Sequence, residues 1–155
     1  MSIAPIVRSV RTKAPPERAF QLFATRIADW WPKGRTIGAQ PHVTIEIEPH
    51  PGGRWYERDA EGHETRWGTV KAYEPPVRLL LAWQIKPDWT FDPDFATEVE
   101  VTFAPAEDGG TLVTLEHRHL ERFGAAAQDQ AEKLGGGWPK FLGLFADFAD
   151  THQEQ

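Results

Sequence analysis

His117 and His119 lie two residues apart in Leu115-Glu116-His117-Arg118-His119. On a strand, that spacing sends both side chains to one face. An imidazole there can orient a ligand oxygen or act as a general base near neutral pH. If Val113 and Leu115 face the interior, His117 does too. Glu57 follows Trp55 by two residues and shares its face. It reads either as the partner of Arg66 across the hairpin or as a polar anchor or acid at a cavity wall.

The chain has seven tryptophans, each a large apolar surface carrying one N–H donor. Trp55, Trp83 and Trp138 fall on faces expected to point inward, and Trp31 directly follows a short helix. The expected ligand site is therefore Trp31, Trp55, Glu57, Trp83, His117, Trp138 and Phe141. Trp67 has an open direction, because Gly68 beside it suggests a bulge. Asp88-Trp89-Thr90-Phe91-Asp92-Pro93-Asp94-Phe95 reads as a lid over a cavity mouth, a dimer contact, or a loop with its aromatics tucked under. No nucleophile elbow, Walker loop or dinucleotide fingerprint is present. No catalytic residue and no cofactor are assigned. His42, His50 and His63 fall in loops or turns, so no metal site is expected.

These residues need elements to hold them. Ile6 to Thr12 alternates as a first strand. Ala14-Pro15-Pro16-Glu17 opens a helix, with proline in its first turn and an acid suited to the helix dipole. Helices are expected over about Pro16–Phe23 and Thr25–Trp30. Val43, Ile45 and Ile47 alternate with Thr44, Glu46 and Glu48 as a half-buried strand. Further strands are expected at Arg54–Arg58, Thr65–Tyr73, Leu79–Ile85, around Val99–Phe103 and around Val113–His117. Trp138, Phe141, Leu142, Phe145 and Phe148 form an apolar helical stripe. That helix is expected over about Leu134–Thr151, with Gly135-Gly136-Gly137 as a hinge at its start. Adjacent strands without strand–helix alternation predict an antiparallel sheet of the α+β class.

The 155 residues suit one domain over 1–155. A net charge of −6 argues against a phosphate-backbone binder, so no nucleic-acid partner is expected. With no cysteine, disulfides and thiol chemistry are absent. No signal peptide and no apolar run of membrane length are seen, so a cytoplasmic location without membrane insertion is expected, as monomer or homodimer.

Several pieces recur in a definite order. They are Ala14-Pro15-Pro16-Glu17-Arg18-Ala19-Phe20, Trp30-Trp31-Pro32, Pro51-Gly52-Gly53-Arg54-Trp55 and Gly68-Thr69-Val70. Pro75-Pro76-Val77-Arg78-Leu79, Trp83, Gly109-Gly110-Thr111 and Gly137-Trp138-Pro139-Lys140-Phe141-Leu142 follow. This set, over about Ile6 to Phe148, resembles the heat-shock protein 90 ATPase activator-like family of the START-like (SRPBCC) superfamily. The resemblance implies a helix-grip fold: a bent antiparallel sheet of six to seven strands wrapped around a long C-terminal helix, with two short helices after the first strand. It further implies a cavity and, as the leading expectation, binding of a small hydrophobic, aromatic or lipid-like molecule. Alternatives are an aromatase-, cyclase- or hydrolase-like enzyme using His117 or Glu57, and a co-chaperone-type interaction module. The last is usually tied to a longer two-domain protein.

Overall fold

The computed structural model describes residues 3–32, 37–38 and 42–152. Seven strands form one antiparallel sheet: β1 (Ile6–Thr12), β2 (His42–Ile47), β3 (Arg54–Asp59), β4 (Glu64–Glu74), β5 (Arg78–Trp83), β6 (Thr97–Pro105) and β7 (Thr111–Arg118). Their spatial order is β1-β7-β6-β5-β4-β3-β2. Between β1 and β2 come α1 (Pro16–Thr25) and α2 (Ile27–Trp30). After β7, a 3-10 turn (Leu120–Ala126) leads into α3 (Ala127–Asp150). This is the helix-grip arrangement expected of the sequence.

The strict alternation of β6 and β7 gives each strand one dry face. Val99, Val101, Phe103, Val113, Leu115 and His117 point inward, each 3% exposed or less. The outward face of the sheet carries charges. Arg118 bridges Glu98 and Glu100 at 3.0 and 2.9 Å, Lys71 pairs with Glu98, and Arg78 with Glu100. Lys71 first and then Arg118 hold the Glu98 carboxyl down to about 2, against the opposing effect of burial. Farther along, Arg54 and Arg58 share Glu64 and also reach Glu48 and Glu46.

The sheet bends at irregularities of register. Trp55 pairs with Gly68 and Tyr56 with Arg66, so Trp67 is the extra residue of a bulge on β4. Gly68 is required there, since a Cβ would stand 1.9 Å from the carbonyl oxygen of Ala82 on β5. A second shift between Val70 and Ala72 bends β4 again, against β5.

The terminal helix is longer than the sequence reading. It begins at Ala127, not near Leu134, and Gly135, Gly136 and Gly137 lie inside it rather than forming a hinge. Ala127, Gln130, Leu134 and Trp138 continue the buried stripe backwards at spacings of three and four. Packing of this stripe outweighs the low helix propensity of three glycines. Pro139 also sits within the helix and removes one intrahelical N–H donor. The acceptor four residues back, Gly135 O, instead receives Arg8 Nε from β1 at 3.3 Å. At the far end, Asp150 Oδ1 accepts from Thr12 Oγ1 (2.7 Å) and the Lys13 amide (2.8 Å), tying the helix to the end of β1.

Candidate functional site

Four elements converge on one pocket. Alternation from Thr65 sends Trp67 of β4 inward, β5 and the residues after it contribute Trp83 and Ile85, and Trp31 directly follows α2. Across from them, α3 presents Lys133, Leu134, Gly137, Trp138 and Phe141. Ile37 and Trp89 complete the lining of a cavity of about 420 Å³. That volume lies within the usual range for small-molecule sites, roughly 300–1,000 Å³. The rings interlock: Trp31 lies 4.5 Å from Phe141 and 5.3 Å from Trp67 between centroids, and Trp83 lies 5.8 Å from Trp138. Edge-to-face and tilted contacts at these distances make a stiff aromatic wall.

The polar groups of the wall are turned on one another. Trp67 Nε1 donates to Glu57 Oε1 at 2.9 Å, and Trp83 Nε1 to Ile85 O at 3.1 Å. Trp138 Nε1 donates to His117 Nδ1 at 3.2 Å. That bond makes Nδ1 an acceptor, so the neutral ring carries its proton on Nε2 and donates it to Thr97 Oγ1 at 2.7 Å. His117 and Thr97 are both fully buried. Burial lowers the His117 pKa to about 3, which keeps the ring neutral at physiological pH. Trp31 Nε1, also buried, has no hydrogen-bond partner among the described residues. Lys133 is the one charged lining residue among the described residues, and its Nζ is paired with Asp129 Oδ2 one turn back at 3.1 Å.

Of the seven residues expected to form the site, Trp31, Trp83, Trp138 and Phe141 line this cavity together. Trp55, Glu57 and His117 stand behind them. Trp55 packs against Trp67 and Trp83 at 5.5 and 5.9 Å, and His117 lies under Trp83 and Trp138. Glu57 is buried, and its Oε1 holds both Trp67 and the Ile37 amide, the latter at 2.6 Å. The expected Glu57–Arg66 pair does not form. The hairpin register places Thr65 opposite Glu57, while Arg66 lies on the other face, opposite Tyr56, and reaches Gly68 O at 3.1 Å and Thr69 Oγ1. Nor does His119 share the inward face of His117. The strand ends at Arg118, and His119 adopts a left-handed backbone (φ 67°) with its ring 3.5 Å from Glu98.

Sequence reasoning missed Trp67, Trp89, Ile37, Ile85, Lys133, Leu134 and Gly137 as lining. The early helix start accounts for Lys133 and Leu134, and the pattern Ala127, Gln130, Leu134, Trp138 carried that signal. The Asp88–Phe95 segment puts Trp89 in the pocket lining, with Phe91 and Phe95 partly buried against the core.

Among solved structures, an anthrahydroquino-γ-pyrone synthase is 38% identical, with a TM-score of 0.66 over 94% of this chain and 97% of that one. CalC, a self-sacrificing resistance protein from Micromonospora echinospora, is 29% identical, with a TM-score of 0.68 and 97% of each chain covered. A protein from Nitrosomonas europaea shares the fold at 14% identity, with a TM-score of 0.69 over 96% of each chain. None of the curated proteins matches the chain. The model of the activator of Hsp90 ATPase homolog 1-like protein family matches residues 13–150, and the chain belongs to that family.

Proposed function

We propose that this protein binds a neutral, planar, polycyclic aromatic molecule between its sheet and α3. The observation that carries the reading is the cavity of about 420 Å³ walled by Trp31, Trp67, Trp83, Trp138 and Phe141. Flat aromatic faces favour a flat aromatic guest. Lys133, already paired with Asp129, leaves the wall without an unmatched charge among the described residues, which favours a neutral guest. The name of the 38% identical synthase supports a fused-ring molecule of the anthrahydroquinone kind.

A second reading, a synthase acting on such a molecule, is favoured by that same identity along 94% of the chain. His117 and Glu57 support it poorly. Both nitrogens of His117 are engaged, and Glu57 acts as an acceptor behind the wall.

Titration with 1,8-dihydroxyanthraquinone tests the reading. Saturable binding that quenches tryptophan emission is expected. Phe141→Ala should weaken it roughly 3- to 10-fold, the worth of one aromatic contact. Absence of saturable binding would sink the proposal, and appearance of a new chromophore on incubation would favour the synthase reading.

A further inference from the structure

Trp89 combines three features that ordinary packing does not explain. Its backbone is left-handed, at φ 65°. Its residue surface is 40% exposed, the most of any tryptophan among the described residues. Trp30, Trp31, Trp55, Trp67, Trp83 and Trp138 all make ring contacts, whereas the Trp89 ring makes none among the described residues. Yet Trp89 lines the pocket.

The turn that carries it is well formed. The Trp89 amide donates to Lys86 O at 2.8 Å, and the Lys86 amide to Thr90 O at 2.9 Å. Asp88 Oδ1 accepts from the Thr90 amide and hydroxyl at 3.1 and 2.6 Å. Ile85 and Phe91 close the hairpin as a bridge. Pro87 suits the second place of the four-residue turn, and Trp89 takes the left-handed place after it. Hairpins of this kind normally place glycine there. A bulky residue in that backbone is a genuine outlier, and such outliers concentrate where a ligand is held.

We infer that Trp89 is a ligand-binding residue: an aromatic clamp at the pocket mouth, held with its ring unpaired so that a planar guest stacks on it. This rests on the reading that the cavity takes a flat aromatic molecule. The inner wall supplies edge and tilted contacts from rings already packed on one another, whereas Trp89 supplies a face that the protein itself leaves uncovered. Specificity for the mouth-facing ring of the guest then resides in a turn outside the core.

Trp89→Gly and Trp89→Phe separate this role from packing. Glycine suits the left-handed backbone, so the melting temperature of Trp89→Gly should stay within about 4 °C of wild type or rise. Its affinity for 1,8-dihydroxyanthraquinone should fall at least about threefold. Trp89→Phe, which keeps a ring, should hold affinity within about threefold of wild type and exceed the glycine variant. Affinity of Trp89→Gly within threefold of wild type, or a melting temperature lowered by more than about 4 °C, overturns the clamp. Failure of wild type to bind the probe, or of Phe141→Ala to weaken it, is a failure of the pocket reading. Wild-type binding that depends on Phe141 but not on Trp89 defeats the clamp alone.

Discussion

His117 shows how one buried residue couples the site to pH. Its two hydrogen bonds, from Trp138 and to Thr97, are compatible with the neutral ring carrying its proton on Nε2. Protonation would put a second hydrogen on Nδ1, facing the Trp138 N–H. In the unfolded chain a histidine titrates near 6.5, and in the folded protein burial lowers His117 to about 3. The unfolded state therefore takes up a proton that the folded state refuses. The stability contributed by His117 is complete above pH 6.5 and is lost as pH falls through that window towards 3. Between pH 7 and 5 the loss should be about 2 kcal/mol. Glu98, held down to about 2, adds its own loss only below its ordinary range near 4.5. Urea unfolding of wild type and His117→Gln at pH 7, 6 and 5 checks this. The variant should show a flatter dependence by about that amount, and equal slopes would contradict the assignment.

At the scale of elements, glycines with the same lack of a side chain act in opposite ways. Gly68 permits β4 to approach β5 at the bulge beside Trp67. Gly136 in α3 is exposed, and a Cβ there would meet nothing within 4 Å. It therefore weakens the helix without a packing return. Gly136→Ala should stabilise the protein by about 0.5–1 kcal/mol in chemical denaturation. A destabilising result would mean that this helical turn is not formed in solution. Such a result would also remove Lys133 and Leu134 from the pocket wall, since they stand on the same stretch of helix.

At the scale of the molecule, α3 is what closes the curved sheet, and Phe145 is where its closure is anchored. Phe145 is fully buried and lies 5.1 Å from Phe23 of α1 and 5.3 Å from Trp30 of α2. The three helices thus meet in one aromatic cluster that does not line the pocket but touches it through Trp30 and Trp31. Phe145→Ala should cost about 3–5 kcal/mol of unfolding free energy, the range for emptying a large aromatic core site. A cost near zero would place the helix elsewhere. Among the described residues no helix is long and apolar enough to cross a membrane. The long axis of α3 is spent on the sheet instead.

Local pattern and family resemblance determined much of this protein. The period-two alternation of Val99, Val101 and Phe103, and of Val113, Leu115 and His117, already assigns the dry face of β6 and β7. The stripe of Trp138, Leu142 and Phe145 likewise assigns the buried face of α3. Those patterns are written into consecutive residues, so Trp83, Trp138 and Phe141 were legible as lining. Only the tertiary structure decided what depends on register and on contacts between distant segments. The pairing of β3 with β4 keeps Trp67 on the inward face against Trp31, with Trp55 packed behind it, and the one-residue bulge sets Gly68 opposite Trp55. Glu57 is claimed by Trp67 and Ile37 rather than Arg66, because the hairpin register sets Thr65 opposite it and Arg66 on the other face. The start of α3 at Ala127 was hidden because intrinsic propensity disfavours three glycines, whereas burial against β1 and the preceding 3-10 turn decides for the helix. Trp89 was legible only as part of a loop with a lid among its readings. Its left-handed backbone contradicts the ordinary preference of tryptophan, and only the folded turn puts it in the pocket lining.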